Sequence, residues 1–135
     1  MNTLAVRVLA GAVLGFALAS GPAARAVEND EIGVLKLFDE FVSSGAAASQ
    51  CAQPDDLAAA RFLSNFQWVS THAHLEIGRQ LPGSGAEVVS AELARRSKEV
   101  KDRTHALVRT AGCEAGPVQD LVRRFAIQAA WVREG

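Results

Sequence analysis

Cys51 and Cys113 lie 62 positions apart and are the only cysteines in the chain of 135 residues. Two cysteines in an exported protein usually form one disulfide bond, whereas cytosolic proteins rarely contain one. Their wide spacing excludes a local redox motif of the Cys-x-x-Cys type. Two free thiols and an intermolecular bond are the alternatives. We expect a Cys51–Cys113 bond, which restrains how two distant segments of the fold are arranged.

The first 26 residues have the three parts of a secretory signal. Arg7 is the only charge in the first part, an apolar stretch follows over residues 8–20, and a small-x-small site at residues 24–26 predicts cleavage after Ala26. The apolar stretch is shorter than the ~20 residues that a membrane anchor needs. We therefore expect a periplasmic or secreted protein, with no stable membrane insertion after cleavage.

Cleavage would leave residues 27–135 as a single domain, long enough for one hydrophobic core. Arg7 and Arg25 leave with the signal, so the 14 basic residues become 12 against 15 acidic ones, a net charge of −3. This mild acidity argues against an extended nucleic-acid interface. The chain also has no tyrosine, so a surface that stacks on bases or sugars is poorly supplied with aromatic rings.

Apolar residues at helical spacing predict two helices in the first half of the domain. Helix 1 is expected over residues 30–44, with Gly45 as its stop and Cys51 in the loop that follows. Helix 2 is expected to start at Pro54, with acidic residues in its first turn, and to end near Arg79. No segment of the chain shows the alternation typical of a strand.

Two more helices are predicted in the second half. A capping box, Ser84-x-x-Glu87, marks the start of helix 3, which ends at Gly112. Helix 4 is expected to start at Pro117 and to bury apolar residues as far as Val132.

Alanine-rich helices with short connections predict an all-α fold, an up-down-up-down antiparallel four-helix bundle. In this topology the helix 1–2 loop and the helix 3–4 loop lie at the same end. Cys51 falls in the first loop and Cys113 in the second, so one disulfide can join them without distortion.

The histidines do not predict a metal or haem site. His72 and Glu76 share a helix face at i and i+4, but a specific zinc site needs three or four ligands, so they are only a weak candidate. In a hairpin that turns near Gly83, His105 is expected level with position 61, far from His74. The sequence has no haem-attachment motif, and we predict no cofactor.

Helix 3 carries many charges, and most of them can pair within the helix. We predict four i,i+4 ion pairs: Glu92–Arg96, Arg95–Glu99, Lys98–Asp102 and Glu99–Arg103. We expect a solvated helix face whose charges form ion pairs with one another. The alternative is a weak binding surface for an acidic partner. No nucleophile or metalloprotease motif occurs in the chain, so an enzyme is not indicated.

A second apolar stripe is the most informative unusual feature. Helix 2 carries its core stripe on one side, yet Leu57, Trp68 and Leu75 fall roughly opposite it, and helix 4 adds Ile127 and Trp131. Two interpretations stay open. A bundle can bury wide helix faces, in which case helix 2 is simply central, or these residues form an exposed patch for a partner or a homodimer.

These features predict a small exported, non-catalytic binding or accessory protein that acts through helix faces. Its partner would be another protein or a second copy of the chain, and not nucleic acid. The alternatives are a carrier of a small apolar ligand, because Ser97 and Thr104 leave slack on the core face of helix 3, and an inhibitor or chaperone-like factor.

Overall fold

A computed structural model describes the backbone of residues 22–134 and the side chains of residues 33–134. This part of the chain folds into four α-helices and contains no strand, which confirms the all-α prediction. The helices are α1 (Pro22–Cys51), α2 (Asp56–Gln80), α3 (Ala86–Ala111) and α4 (Gly116–Ala130). Residues 1–21, which form most of the predicted signal peptide, lie outside the described residues.

Gly45 does not end α1, which continues to Cys51. A Cβ atom at this position would lie 3.2 Å from the Cε1 and Cζ atoms of Phe62 on α2. The glycine therefore allows close approach of two helices, and the three residues after it, Ala46–Ala48, are buried as well. The predicted stop was wrong because a glycine that packs against a ring and one that ends a helix look alike in sequence.

The α2–α3 connection uses residues that we assigned to a capping box. The backbone N–H of Ser84 donates to the carbonyl of Leu81 at 3.1 Å, and Gly83 has a positive φ of 81°. With Pro82 between them, this is the sequence pattern of a type II turn. The helix starts one residue later, with Gly85 as its N-cap and no side-chain cap, so the predicted capping box was wrong.

The starts and ends of the other helices agree better with the sequence. Asp55 caps α2, since its Oδ1 accepts a hydrogen bond from the Ala58 N–H at 2.8 Å. Gly112 ends α3 in a positive-φ conformation. In α4 the last helical residue is Ala130, and Val132 is 81% exposed, so its predicted burial was wrong.

Helix α1 is the centre of the molecule. It packs most extensively against the other three helices, α2 also contacts all three, and α3 and α4 contact each other least. The two outer helices therefore lie on opposite sides of the α1–α2 pair. The core between them is rich in aromatic and small side chains: Leu35, Phe38, Phe41, Val42, Ala48, Phe62, Val69, Ala73, Ile77, Val89, Val100, Phe125 and Ala129.

The predicted disulfide bond is present. Cys51 is bonded to Cys113, with their Cα atoms 5.3 Å apart. Cys51 is the last residue of α1 rather than a loop residue, and Cys113 lies in the turn between α3 and α4. The bond thus ties the end of the central helix to the α3–α4 connection. None of the described helices combines the length and apolar character needed to cross a bilayer.

Candidate functional site

Two tryptophans from different elements meet at the surface. Trp68 lies in the middle of α2, and Trp131 directly follows α4. Their rings are 5.7 Å apart between centroids and stand edge to face, with 84° between the planes. Each side chain remains 38% exposed. A pair of large aromatic rings is therefore open to solvent within the described part of the chain.

Trp131 is held in place by a buried amide. Nδ2 of Asn65 donates to the carbonyl of Trp131 at 2.9 Å and to the carbonyl of Gln128 at 2.8 Å. On its inner side, the Trp131 ring faces Phe41 at 6.2 Å. The end of α4 and the ring after it are thus fixed against α2 and α1, and the exposed edge of the ring is preorganised.

The surface pair continues an aromatic cluster that starts in the core. Phe62 stacks on Phe125 at 4.3 Å and contacts Phe41 at 5.2 Å. From Phe41 the cluster passes to Trp131 and Trp68, and it ends at the ring of His72, 3.9 Å from Trp68. Because each ring is supported by the next, Trp68 has little freedom to fold away from solvent.

A groove of about 690 Å³ lies beside Trp68. One wall comes from α1 and the other from α2, and the lining residues are Gly33, Val34, Leu37, Trp68, His72, Leu75 and Arg79. Only His72 and Arg79 are polar, and the Arg79 guanidinium donates to the carboxylate of Glu76. The groove is therefore mainly apolar, with polar groups at one side.

The structure places all five predicted surface residues in exposed positions: Leu57, Trp68, Leu75, Ile127 and Trp131. It brings only part of this set together. Trp68 contacts Trp131 and shares the groove with Leu75. Leu57 lies on the same face of α2, but 11 residues earlier, which is about 16 Å along the axis at 1.5 Å per residue. It borders a different depression, together with Val122 and Ala126.

The two residues of the weak metal candidate, His72 and Glu76, each make other hydrogen-bonding contacts in this fold. Glu76 is buried, and its carboxylate accepts hydrogen bonds from Arg79 and from Gln80. The Nδ1 atom of His72 lies 2.9 Å from the carbonyl oxygen of Trp68, one turn back. Among residues 33–134, no group of three or more His, Cys, Asp or Glu side chains is arranged to hold a metal ion.

A second cavity, of about 450 Å³, lies between α1, α2 and α3. Its floor includes Phe41, Phe62 and Phe66, and its α3 side carries Ser97, Lys101 and His105. The sequence analysis indicated unfilled space near Ser97 but did not assign Lys101 and His105 to the same cavity. Their spacing of four residues was the available signal, because it places all three on one helix face.

The remaining charges of α3 are largely paired. Arg95 bonds both Glu92 and Glu99, and Lys98 bonds Asp102. The hydrogen bond from Arg95 lowers the pKa of Glu92, and the one from Lys98 lowers the pKa of Asp102. The Arg95–Glu99 and Lys98–Asp102 pairs confirm two of the four predicted.

The other two predicted pairs, Glu92–Arg96 and Glu99–Arg103, are not among the salt bridges of residues 33–134. Arg96 instead reaches across to α1, where its Nε and Nη2 donate to the carboxylate of Asp39 at 2.7 and 2.8 Å. This two-point contact joins α3 to the central helix, a connection that spacing within one helix cannot reveal.

The chain matches no protein-family model, no curated protein and no solved structure. The function is therefore inferred from the two surfaces described above.

Proposed function

We propose that this chain is an exported, non-catalytic binding protein that engages a protein partner through the tryptophan face. We define this face as Trp68, Trp131 and Leu75 with the adjoining α1 residues Val34 and Leu37. The single observation that supports the proposal best is the exposed, preorganised Trp68–Trp131 pair. Tryptophan is enriched in the small set of residues that dominate binding energy at protein interfaces.

The surroundings of the pair favour a protein rather than a polar ligand. Leu75 is 60% exposed beside the groove, and exposed apolar patches of this kind commonly mark interaction sites. An apolar groove between two helices suits the apolar side of a third helix. Since Asn65 fixes the Trp131 backbone and the ring packs against Phe41 and Trp68, less conformational entropy is lost when a partner covers the ring.

We further propose the up-down-up-down topology and export to the periplasm or medium. The close ends of α1 and α3 at the disulfide, with short connections between successive helices, support alternating helix directions. A disulfide is typical of oxidising compartments. Mass measurement of the protein recovered outside the cytoplasm tests export, and a chain that starts at Val27 is the expected product.

Photo-crosslinking in the native host tests the tryptophan face. A photoreactive residue at Leu75 should give a covalent adduct, either with a different protein or with a second copy of the chain. The same residue at Val88 is the matched control, because Val88 is 53% exposed but lies on α3. Equal adducts at both positions, or none at Leu75, would contradict the proposal.

Trp68→Ala provides the second arm of this test. We expect it to remove the Leu75 adduct, while the far-UV circular dichroism of the purified protein stays that of a folded helical chain. Sedimentation velocity of wild type and variant then separates self-association from binding of another protein. An unchanged Leu75 adduct in a folded Trp68→Ala variant would show that the pair is not the contact.

The cavity at Phe62 favours a second candidate function, transport of a small apolar ligand. Its volume of about 450 Å³ falls in the range of small-molecule sites, and its floor is aromatic. Native mass spectrometry of protein purified from its own host tests this candidate, since a carrier should retain a small molecule.

A further inference from the structure

One row of polar side chains on α3 borders the apolar cavity. Ser97, Lys101 and His105 are each separated by four residues, so they rise along one face of the helix, and all three line the cavity. The row extends about 12 Å along α3 at 1.5 Å per residue. Ser97 and His105 are half-buried, whereas Lys101 is exposed at the mouth.

The opposite side of the cavity is mainly apolar, although Ser49 of α1 also lines it. The α1 and α2 residues that face it include Val42, Phe41, Ala59, Phe62 and Leu63. Leu63 is 62% exposed, so the apolar surface reaches the rim as well as the floor. No aspartate or glutamate is among the residues that line the cavity. A ligand held here would thus meet hydrocarbon on one side and hydroxyl, imidazole and ammonium groups on the other.

Lys101 interacts electrostatically with Asp102, whose pKa it helps to lower, but the two do not form a salt bridge. The acidic residues on either side of it in sequence are engaged elsewhere, Glu99 by Arg95 and Asp102 by Lys98. Lys101 takes part in none of the salt bridges of residues 33–134. An ammonium group at the mouth of an apolar cavity favours an anion that also has an apolar body.

We infer that this cavity binds a small amphipathic monocarboxylate, with its hydrocarbon part against Phe41, Phe62 and Phe66 and its carboxylate toward Lys101. Ser97 and His105 supply further hydrogen-bonding groups along the same wall. This inference rests on the second candidate function, ligand transport. It is independent of the tryptophan face, because Lys101 and Trp68 line different cavities.

Isothermal titration calorimetry with decanoate and with decanol tests the inference on the purified, disulfide-bonded protein. The two probes share a hydrocarbon chain and differ in the charged group. We expect decanoate to bind more tightly than decanol, and Lys101→Gln to weaken decanoate about fivefold while leaving decanol nearly unchanged. Lys36→Gln is the matched control, since it removes the same charge. Lys36 lines a different depression, on the other side of the α1–α3 contact.

Ser97→Leu tests whether the two probes bind in the cavity or elsewhere on the surface. The larger, apolar side chain would occupy part of the cavity next to Lys101, so this variant should stay folded and bind both probes more weakly. Equal affinity for decanoate and decanol, or an equal loss in Lys36→Gln and Lys101→Gln, would overturn the carboxylate site. Undiminished affinity for both probes in a folded Ser97→Leu variant would overturn the cavity as the binding location. Neither result bears on the crosslinks from Leu75, so the two proposals fail separately.

Discussion

The buried side chain of Asn65 on α2 donates a hydrogen bond of 2.9 Å to the carbonyl of Trp131, beyond the end of α4. The same amide donates to the carbonyl of Gln128 at 2.8 Å. Carbonyls in the last turn of a helix have no partner within the helix. Asn65 supplies a donor to the Trp131 carbonyl and adds a shorter bond to the Gln128 carbonyl, which also accepts from the Trp131 N–H at 3.4 Å. It thereby fixes the backbone at the end of α4, next to Trp68.

Asn65→Ala should destabilise the fold by about 1–3 kcal/mol, because the Trp131 carbonyl loses its side-chain donor and the Gln128 carbonyl keeps only the longer bond from the Trp131 N–H. Urea denaturation followed by circular dichroism measures the change. Gln67→Ala is the matched control, since Gln67 is an exposed amide on the same helix and should change stability by less than about 0.5 kcal/mol. We also expect altered tryptophan fluorescence in Asn65→Ala alone. A native spectrum with wild-type stability would show that Asn65 does not hold this end of α4.

The disulfide should contribute a large part of the stability. Cys51 and Cys113 close a loop of 62 residues, which corresponds to about 4 kcal/mol in the chain-entropy model. Cys51→Ser should therefore melt far below the oxidised wild type. Cys113→Ser should melt at the same temperature as Cys51→Ser, since each variant lacks the same bond. Wild type that melts alike with and without reductant would contradict this account.

Sequence periodicity was sufficient for the number of helices and for most of the buried face of α2. The core stripe of α2 illustrates this, because Phe62, Val69, Ala73 and Ile77 are buried as their spacing predicts. His105 likewise lines a cavity with Ala59 and Phe62, close to its predicted level at position 61. Both features depend on a single helix or on one helical hairpin, where residue spacing along the chain determines position.

Contacts between helices were not accessible in the same way. Asn65, Glu76 and Gln128 are polar residues that a hydrophobic pattern assigns to the surface, yet all three are buried. Asn65 and Gln128 are satisfied by partners far away in sequence, for example the hydroxyl of Ser44 that donates to Gln128. Predicting such burial requires the relative placement of α1, α2 and α4, which single-helix patterns do not contain.

In the candidate site, too, features within one helix were predictable and contacts between helices were not. The stripe on α2 indicated that Trp68 and Leu75 lie off the core face, but it left open whether they are buried by another helix or exposed, and the structure shows them exposed. The stripe did not predict that Trp131 would lie after the end of α4 with its ring against Trp68, because the position of Trp131 depends on its hydrogen bond with Asn65. The cavity at Lys101 depends on how α3 is spaced from α2, which no sequence pattern records.

Acid should weaken the surface ion pairs of α3. Since the pKa of Glu92 and that of Asp102 are lowered in the folded chain, their contribution is present above the unfolded pKa values and is lost as the pH falls through the folded ones. We expect stability to decline below about pH 4. Carboxyl-carbon NMR measures both pKa values directly. Molar salt should raise them toward ordinary values, because the Arg95 and Lys98 partners lie at the surface. Unshifted pKa values at low salt would contradict the pairing.

Two glycines in helix interiors should respond to alanine in opposite directions. Alanine favours helix by up to about 1 kcal/mol over glycine, so substitution is stabilising where space permits. At Gly78 of α2 a Cβ atom would meet nothing within 4 Å, and we expect Gly78→Ala to raise stability.

At Gly45 of α1 the same atom would lie 3.2 Å from the Phe62 ring. That ring cannot shift easily, because it stacks on Phe125 at 4.3 Å and contacts Phe41 at 5.2 Å. We expect Gly45→Ala to lose about 1–3 kcal/mol from overpacking despite its better helix propensity. Urea denaturation of both variants provides the comparison. If Gly45→Ala gained as much stability as Gly78→Ala, the close approach of α1 to α2 at Phe62 would not be a constraint. Gly45 would then be an ordinary helical position.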